Sequence, residues 1–319
     1  MVTDRTRERA QMILLGAITL AVLVVAVTVV VNSLTVTRTA GPTQAAPQID
    51  EAREFGFESR KGTRSLVVRL NHRHRNQTAP ELAALVDENV TVYGRLLAES
   101  YASSHAEYVN LTYNNDSSAF GRRIVQTADD NVTDASGHDG WRIGVVDEYR
   151  RIGWFTLNVN VENTSRSPSR IVVRNGSERI TYHINRTGGG RLNVTSDLSY
   201  AGNVTGICEP SRQRVLLDLV DGTSFSGECS FNGTSVLTGP YTVVVEDGDN
   251  LVGKYELVYN ESLPASSGTY EECEDSSGAP ATDPCTTPVV WVANVTTTFD
   301  SSEMDYTNDY NVSIYGNTT

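Results

Sequence analysis

Residues 12–31 read MILLGAITLAVLVVAVTVVV, twenty residues without a charge in which only Thr19 and Thr28 have polar side chains. At about 1.5 Å per residue, such a helix is roughly 30 Å long, the thickness of a bilayer's hydrocarbon core. A helix also satisfies its own backbone hydrogen bonds, so it can lie in lipid. The chain is therefore expected to cross a lipid bilayer once, near its start. Arg5, Arg7 and Arg9 precede the apolar run, and only Arg38 follows it before Arg53. Arginine asymmetry of this kind puts residues 1–10 in the cytoplasm and everything from about Asn32 outside. The expected location is the cell membrane, single-pass, with an extracellular carboxy-terminal ectodomain.

Three fates are open to this segment. An ordinary secretory signal has an apolar core of about 7–15 residues followed by a small-x-small cleavage site. This core is longer, and Val29-Val30-Val31-Asn32-Ser33 is a poor site. An uncleaved anchor fits the same residues. The third fate rests on Arg9-Ala10-Gln11-Met12: a basic residue, a small residue, then Gln opening the apolar helix. This resembles the processing site of archaeal type IV pilin-like (class III) signal peptides. The opening is also similar to that of a group of haloarchaeal surface glycoproteins that begin with an Arg-x-Gln-Met helix. The resemblance covers residues 5–35. It implies cleavage between Ala10 and Gln11 on the cytoplasmic side, with the helix kept in the mature protein. It further implies a pilin-like or filament-associated subunit, held first in the membrane and later packed against like subunits. Such pilins carry Glu at the fifth mature position; here that residue is Leu15.

Composition agrees with an exterior facing brine. Asp and Glu number 39 against 26 Lys and Arg, a net charge of −13, and only Lys61 and Lys254 are lysines. Excess carboxylate keeps a surface hydrated and self-repelling where salt shortens the Debye length to about 3 Å. Acidity together with lysine depletion suggests a halophile. Of the 22 asparagines, 15 head an N-x-Ser/Thr sequon, all beyond the apolar run. Glycosylation outside the membrane fits the orientation taken from arginine. The glycosylation candidates are Asn76, Asn110, Asn163, Asn175, Asn185, Asn232 and Asn294. Cys208, Cys229, Cys273 and Cys285 are even in number, and all fall outside. Four cysteines allow three pairings. The local choice is Cys208–Cys229, around an expected hairpin, with Cys273–Cys285 closing a loop. A zinc site would want C-x-x-C or histidines at ligand spacing, and neither is present.

The chain then divides into a leader (1–10), a transmembrane helix (11–35), a linker (36–59), a basic strand with an amphipathic helix (60–109) and a β-sandwich ectodomain (110–319), as one domain or two. Gly41, Pro42 and Pro47 mark the linker. The basic stretch RKGTRSLVVRLNHRHR over 60–75 offers Arg60, Lys61, Arg64, Arg69, Arg73 and Arg75 to lipid headgroups, an acidic glycan or an acidic neighbour. Its bland reading is a strand edge with solubilising arginines. Nucleic acid is excluded as a partner by the location and the net charge. Thr78-Ala79-Pro80-Glu81 forms a capping box, and a helix should follow to about His105. Leu82, Leu85, Val86, Tyr93, Leu96, Leu97 and Tyr101 lie on one stripe, which Asn89 shares. Beyond Asn110 the period falls to two, as in Phe155, Leu157, Val159 and Val161. Asn175-Gly176 suggests a type I′ hairpin between strands over 171–173 and 179–182. Further strands are expected over 122–127, 141–146, 191–195, 214–219, 241–246, 252–259, 289–296 and 312–315. The fold class expected is mainly β, an antiparallel β-sandwich preceded by the transmembrane helix and one amphipathic helix. Residues from Cys208 onward hold 18 acidic side chains against Arg212, Arg214 and Lys254, which would allow head-to-tail contact between subunits.

No H-E-x-x-H, G-x-S-x-G, phosphate-binding loop or dinucleotide fingerprint occurs. His72, His74, His105, His138 and His183 adjoin no nucleophile motif. His72 and His74 would share a strand face. Asp129-Asp130 and Asp247/Asp249 read as turn aspartates rather than as calcium ligands. The expectation is therefore a chain that is not an enzyme and takes no cofactor or metal. Its alternative to the filament role is an anchored envelope protein that binds glycan or another surface protein. An extracellular enzyme without a recognisable motif ranks third.

Overall fold

The computed structural model describes residues 45–105, 108–143, 151–237, 239–260, 272–273, 283–302 and 304–316. The expected membrane segment and the Ala10–Gln11 junction lie outside them. Among the described residues no helix is long and apolar enough to cross a membrane. The chain divides into a unit ending at Arg53 and a unit running Glu54–Thr319. The described part of the first unit is helical, with an exposed Asp50–Arg53 contact of 3.7 Å. Apart from the first turns of the helix that begins at Ala45, everything below concerns the second unit.

Two helices precede the strands: α1 (Ala45–Arg73) and α2 (Ala79–His105). The expected linker is thus helical from Ala45. Pro47 falls in the first turn, where its missing N–H has no intrahelical partner to lose. The expected basic strand is helical as well. Phe55, Ser59, Thr63, Val67 and Asn71 are buried at helical intervals. Polar Ser59, Thr63 and Asn71 occupy core positions, so an apolar count misses the 3.6-residue period. The capping box forms as expected: the Thr78 amide donates to Glu81 Oε2 at 2.8 Å and the Glu81 amide donates to Thr78 Oγ1 at 3.4 Å. The buried stripe of α2 is Leu82, Ala83, Val86, Val90 and Tyr101, whereas Leu96 is exposed.

Thirteen antiparallel strands follow among the described residues. One sheet has seven: β1 (Tyr108–Asn131), β3 (Ile152–Asn160), β8 (Arg214–Asp218), β9 (Thr223–Ser224), β11 (Val252–Tyr259), β12 (Cys285–Asp300) and β13 (Asp305–Ser313), in the order β13-β12-β1-β11-β3-β8-β9. The other has six: β2 (Trp141–Ile143), β4 (Ser169–Asn175), β5 (Glu178–Arg186), β6 (Leu192–Leu198), β7 (Gly202–Cys208) and β10 (Thr242–Glu246), in the order β2-β10-β4-β5-β6-β7. Strand alternation turns Phe155, Leu157, Leu217, Tyr255 and Leu257 of the first sheet towards Ile171, Ile180, Tyr182, Val194 and Val243 of the second, and they share one core. This is the antiparallel β-sandwich expected. The other face of the seven-stranded sheet is also buried. Leu111, Val258, Val289, Val295 and Val312 meet Val67, Leu82, Val86 and Val90 of the helices in a second core. The sheet with seven strands is therefore the middle layer.

Both disulfides follow the local pairing. Cys208 ends β7 and Cys229 follows β9, so the Cys208–Cys229 bond ties an edge of each sheet to the other. The β8–β9 hairpin lies between the two cysteines, as expected, and the same bond spans the crossing between sheets. Cys273–Cys285 anchors a short segment to β12, where the Cys273 amide donates to Thr286 O at 2.9 Å.

The helices are tied to the middle sheet by polar groups. Asn71 of α1 donates its amide to Val290 O at 2.9 Å and accepts from Val290 N at 3.0 Å, a pairing that a strand would otherwise make. Arg123 of β1 reaches back to the Asn71 and His72 carbonyls at 3.2 and 3.4 Å. Its Nε donates to Glu256 Oε1 of β11 at 2.6 Å, and His72 Nδ1 stands 2.6 Å from the same oxygen. Burial pushes the Glu256 carboxyl up, but the His72 hydrogen bond and the Arg123 charge outweigh it. The net effect holds Glu256 below the ordinary 4.5.

A carboxylate with a lowered folded pKa stabilises the fold above its unfolded value, and the contribution is lost as pH falls through the folded value. Glu256→Gln should cost about 3 kcal/mol at neutral pH. It should also flatten the decline in stability below about pH 4.5. Denaturant melts of both proteins from pH 7 to 3 check this; parallel curves would contradict the role given to Glu256.

Candidate anion-binding face

The outer face of the six-stranded sheet follows from strand alternation. On β4, Ile171 and Val173 point into the core, which turns Arg170, Val172 and Arg174 outward. On β5, buried Ile180 and Tyr182 turn Arg179, Thr181 and His183 outward. On β2 and β10, buried Trp141, Val243 and Val245 leave Arg142, Val244 and Glu246 outside. Register then assembles them. Arg174 lies directly opposite Arg179, Val172 opposite Thr181, and Arg170 opposite His183. Val244 sits between Arg142 and Val172, and Glu246 is opposite Arg170.

The result is a depression of about 450 Å³. Val172, Val244 and Thr181 form its half-buried floor, and Arg142, Arg170, Arg174, Arg179 and His183 surround it. Two carboxylates, Asp197 and Glu246, also line it. Glu246 is occupied by Arg170 at 3.1 Å, and Arg170 also reaches Asp247 at 3.2 Å. Among the described residues Arg142, Arg174 and Arg179 have no carboxylate partner. Opposed residues on paired strands hold their Cβ atoms about 4.5–5.5 Å apart, and like charges placed so destabilise the pair. An anion between the guanidiniums removes that repulsion and can be held bidentately by either one. On a chain of net charge −13 this is a local reversal of sign.

The sites expected from sequence lie elsewhere. Arg60, Lys61, Arg64, Arg69 and Arg73 are exposed on α1, and Arg75 is exposed beyond it. They do not form one patch: Arg60 stacks 4.8 Å over the Tyr310 ring and Arg64 donates to Ile314 O at 3.3 Å. At about 100° per residue, Arg69 and Arg73 point well away from these two. His72 and His74 share no strand face; His72 is spent on Glu256. His138 pairs with Asp134 at 2.9 Å, Asp129 with Arg214 at 2.9 Å, and Asp247 with Arg170. Among the described residues no three His, Cys, Asp or Glu side chains cluster as metal ligands.

Of the sequon asparagines, Asn76, Asn110 and Asn163 are exposed and Asn175 and Asn232 half-buried. Asn185 and Asn193 face each other beside the arginine face, with Asn193 Nδ2 donating to Asn185 Oδ1 at 3.0 Å. Asn294 is only 8% exposed and donates its amide to Asn311 Oδ1 at 2.8 Å, so a glycan there would have to open the β12–β13 edge. Asn89 is half-buried and donates to Leu85 O at 2.8 Å.

The arginine face was not singled out from sequence. Its signal is arginine alternating with apolar residues over 170–174. Asn175-Gly176 is the expected centre of the turn, but the ladder closes at Asn175–Glu178 around Gly176-Ser177. Only Gly176 takes a positive φ there, 48°, so the turn is not type I′. The expected centre would have put Arg174 opposite Ser177 and hidden the pair.

No protein-family model and no curated protein matches the chain. Among solved structures, a crystal structure of Scytalido-glutamic peptidase with a peptide-based transition-state analogue is similar at 11% identity, over 60% of this chain and 83% of that one, with a TM-score of 0.16. That neighbour is an enzyme, so the expectation that this chain is not an enzyme is corrected and dropped. A TM-score of 0.16 assigns no fold, residue or activity to this chain.

If Arg174 and Arg179 repel as placed, Arg179→Glu converts repulsion into attraction. The variant should be more stable than the parent by about 0.5 kcal/mol in low salt, with the gain shrinking as salt is added. Denaturant midpoints at two ionic strengths measure it.

Proposed function

We propose that the chain is a glycosylated surface protein of a halophile, held in the cell membrane by residues 12–31, whose sandwich binds an acidic ligand on the outer face of its six-stranded sheet. The single observation behind the binding role is the directly opposed Arg174–Arg179 pair, without carboxylate partners among the described residues, beside Arg142 and Arg170. The ligand class is a polyanion with spaced carboxylates or sulfates, such as a uronic-acid glycan. Guanidinium groups on neighbouring strands match planar carboxylates, and the Val172–Val244 floor offers apolar contact to a sugar ring. The site is moved from the α1 arginines to the sheet because α1 scatters its charges around a helix.

The anchor and its processing rest on sequence. The apolar run supports a membrane helix, the arginine asymmetry supports an outward ectodomain, and two disulfides agree with an oxidising exterior. Arg9-Ala10-Gln11-Met12 supports pilin-like leader removal after Ala10. Leu15 stands where such pilins carry Glu, which favours an anchored binding protein over a filament core.

Two measurements test this reading. In isothermal titration with trigalacturonate, Arg174→Gln/Arg179→Gln should weaken binding at least tenfold, about 1.4 kcal/mol, while Arg69→Gln/Arg73→Gln leaves it unchanged. Equal binding of the uncharged galactose trimer would refute the acidic-ligand role. Mass spectrometry of the protein from its own membranes should find Gln11 at the amino terminus; an intact Met1 or a cut after residue 31 would refute the processing.

A further inference from the structure

A second cavity, of about 370 Å³, lies where the two cores adjoin, lined by Ile152, Val220 and Tyr241 from the side of the first and Trp154 and Tyr315 from the second. Its walls come from α1 (Arg64), β3 (Trp154), the turn after β8 (Asp218 and Asp221), Tyr241, and Tyr315 beyond β13. The size is at the small end for ligand sites, suited to a metabolite rather than a polymer.

The cavity's charged groups lack counter-charges among the described residues. Trp154 contributes its indole ring to the wall, while its buried Nε1 has no hydrogen-bond partner and no exposure to the cavity. Arg64 contacts only backbone oxygens, at 3.3 Å to Ile314 and 3.5 Å to Gly316, and these leave its charge uncompensated. Across the cavity, Asp218 Oδ1 accepts from the Val220 and Asp221 amides at 2.8 and 3.1 Å. Neither Asp218 nor Asp221 has a cationic partner among the described residues. Burial, with Asp221 adding a like charge, raises the Asp218 carboxyl above its ordinary value, as expected of an acid lacking a counter-cation.

The aromatic walls are held from behind. His72, fixed by Glu256, packs edge-on against Trp154 with ring centres 5.3 Å apart and against Tyr315 at 6.0 Å. Tyr315 also lies 5.6 Å from Trp291, and Trp154 6.1 Å from Phe225. Gly153 is required here, because a Cβ on it would come within 2.3 Å of Tyr315 Cβ. A site built on packed rings keeps its shape without ligand.

We propose that this cavity binds a small zwitterion of the amino-acid class, its carboxylate on Arg64 and its ammonium on Asp218 and Asp221. Uncompensated charges of opposite sign in one small cavity call for a ligand carrying both charges. A plain anion would leave the aspartates unpaired, and a plain cation would leave Arg64 unpaired. The proposal is independent of the arginine face on the other sheet.

The test uses the full-length protein in detergent at its working salt. Each of the twenty L-amino acids is added at 10 mM, and thermal shift is followed by titration of those that respond. Each is compared with its N-acetyl form, which lacks the cation, and its amide, which lacks the anion. At least one free amino acid should raise Tm, and its two blocked forms should not. Arg64→Gln and Asp221→Asn, both at exposed residues, should each raise Kd at least tenfold. Arg174→Gln/Arg179→Gln should leave this binding unchanged. The proposal is overturned if no free amino acid shifts Tm, if blocked forms bind equally, or if Arg64→Gln binds like the parent.

Discussion

Glu256 is where three elements meet, two strands of the middle sheet and one helix. It stands on the outer face of β11, with Arg123 of the neighbouring β1 and His72 of α1 converging on one of its oxygens. A carboxylate this buried would be destabilising alone; two donors, one from the sheet and one from the helix, make it stable only when the helix is docked. The apolar contacts of Val67, Leu82 and Val86 supply area without direction. The Glu256 cluster and the Asn71–Val290 pairing fix where along the sheet the helix lies. The His72 ring, held by that carboxylate, then sets Trp154 and Tyr315 at the second cavity.

The middle sheet explains why the two candidate sites differ in kind. The seven-stranded sheet is covered on both faces, so its polar groups face clefts between layers, where a small molecule can be enclosed. The six-stranded sheet is covered on one face and open on the other, so its arginines line a shallow depression that a chain-like ligand can cross. Cys208–Cys229 joins the sheets at one edge and limits how far the open face can move relative to the core.

Much of the β architecture is legible in the sequence because period-two alternation is strong where one face is buried, as at Phe155, Leu157 and Val159. Gly202–Cys208 is less legible: outward Ile207 is apolar and exposed, core-side Val204 is exposed too and Gly206 has no side chain, so alternation of polarity fails. The helical nature of 60–73 is concealed by Ser59, Thr63 and Asn71 at core positions, and Asn71 is there for its amide rather than for its apolarity. Local disulfide pairing needs only spacing and was legible. The arginine face needed register, and register depends on which two residues centre a turn; moving that centre by one residue changes every cross-strand partner. The second cavity joins Arg64 to Tyr315 and Trp154 to Asp221, separations that no local pattern reports.

An acidic chain proposed to bind an acidic ligand raises an apparent contradiction of sign. The net charge of −13 repels anions at long range, but in molar salt the Debye length falls to about 3 Å. Repulsion from distant carboxylates is then screened away, while a guanidinium in direct contact with a carboxylate at about 2.8 Å keeps most of its attraction. Strong salt thus removes the long-range penalty and leaves the contact term. Recognition under those conditions must be built from shape and directed donors rather than from field, and arginines seated on paired strands supply both. Lysine, a hydrated point charge on a flexible stem, supplies neither, and there is none on this face.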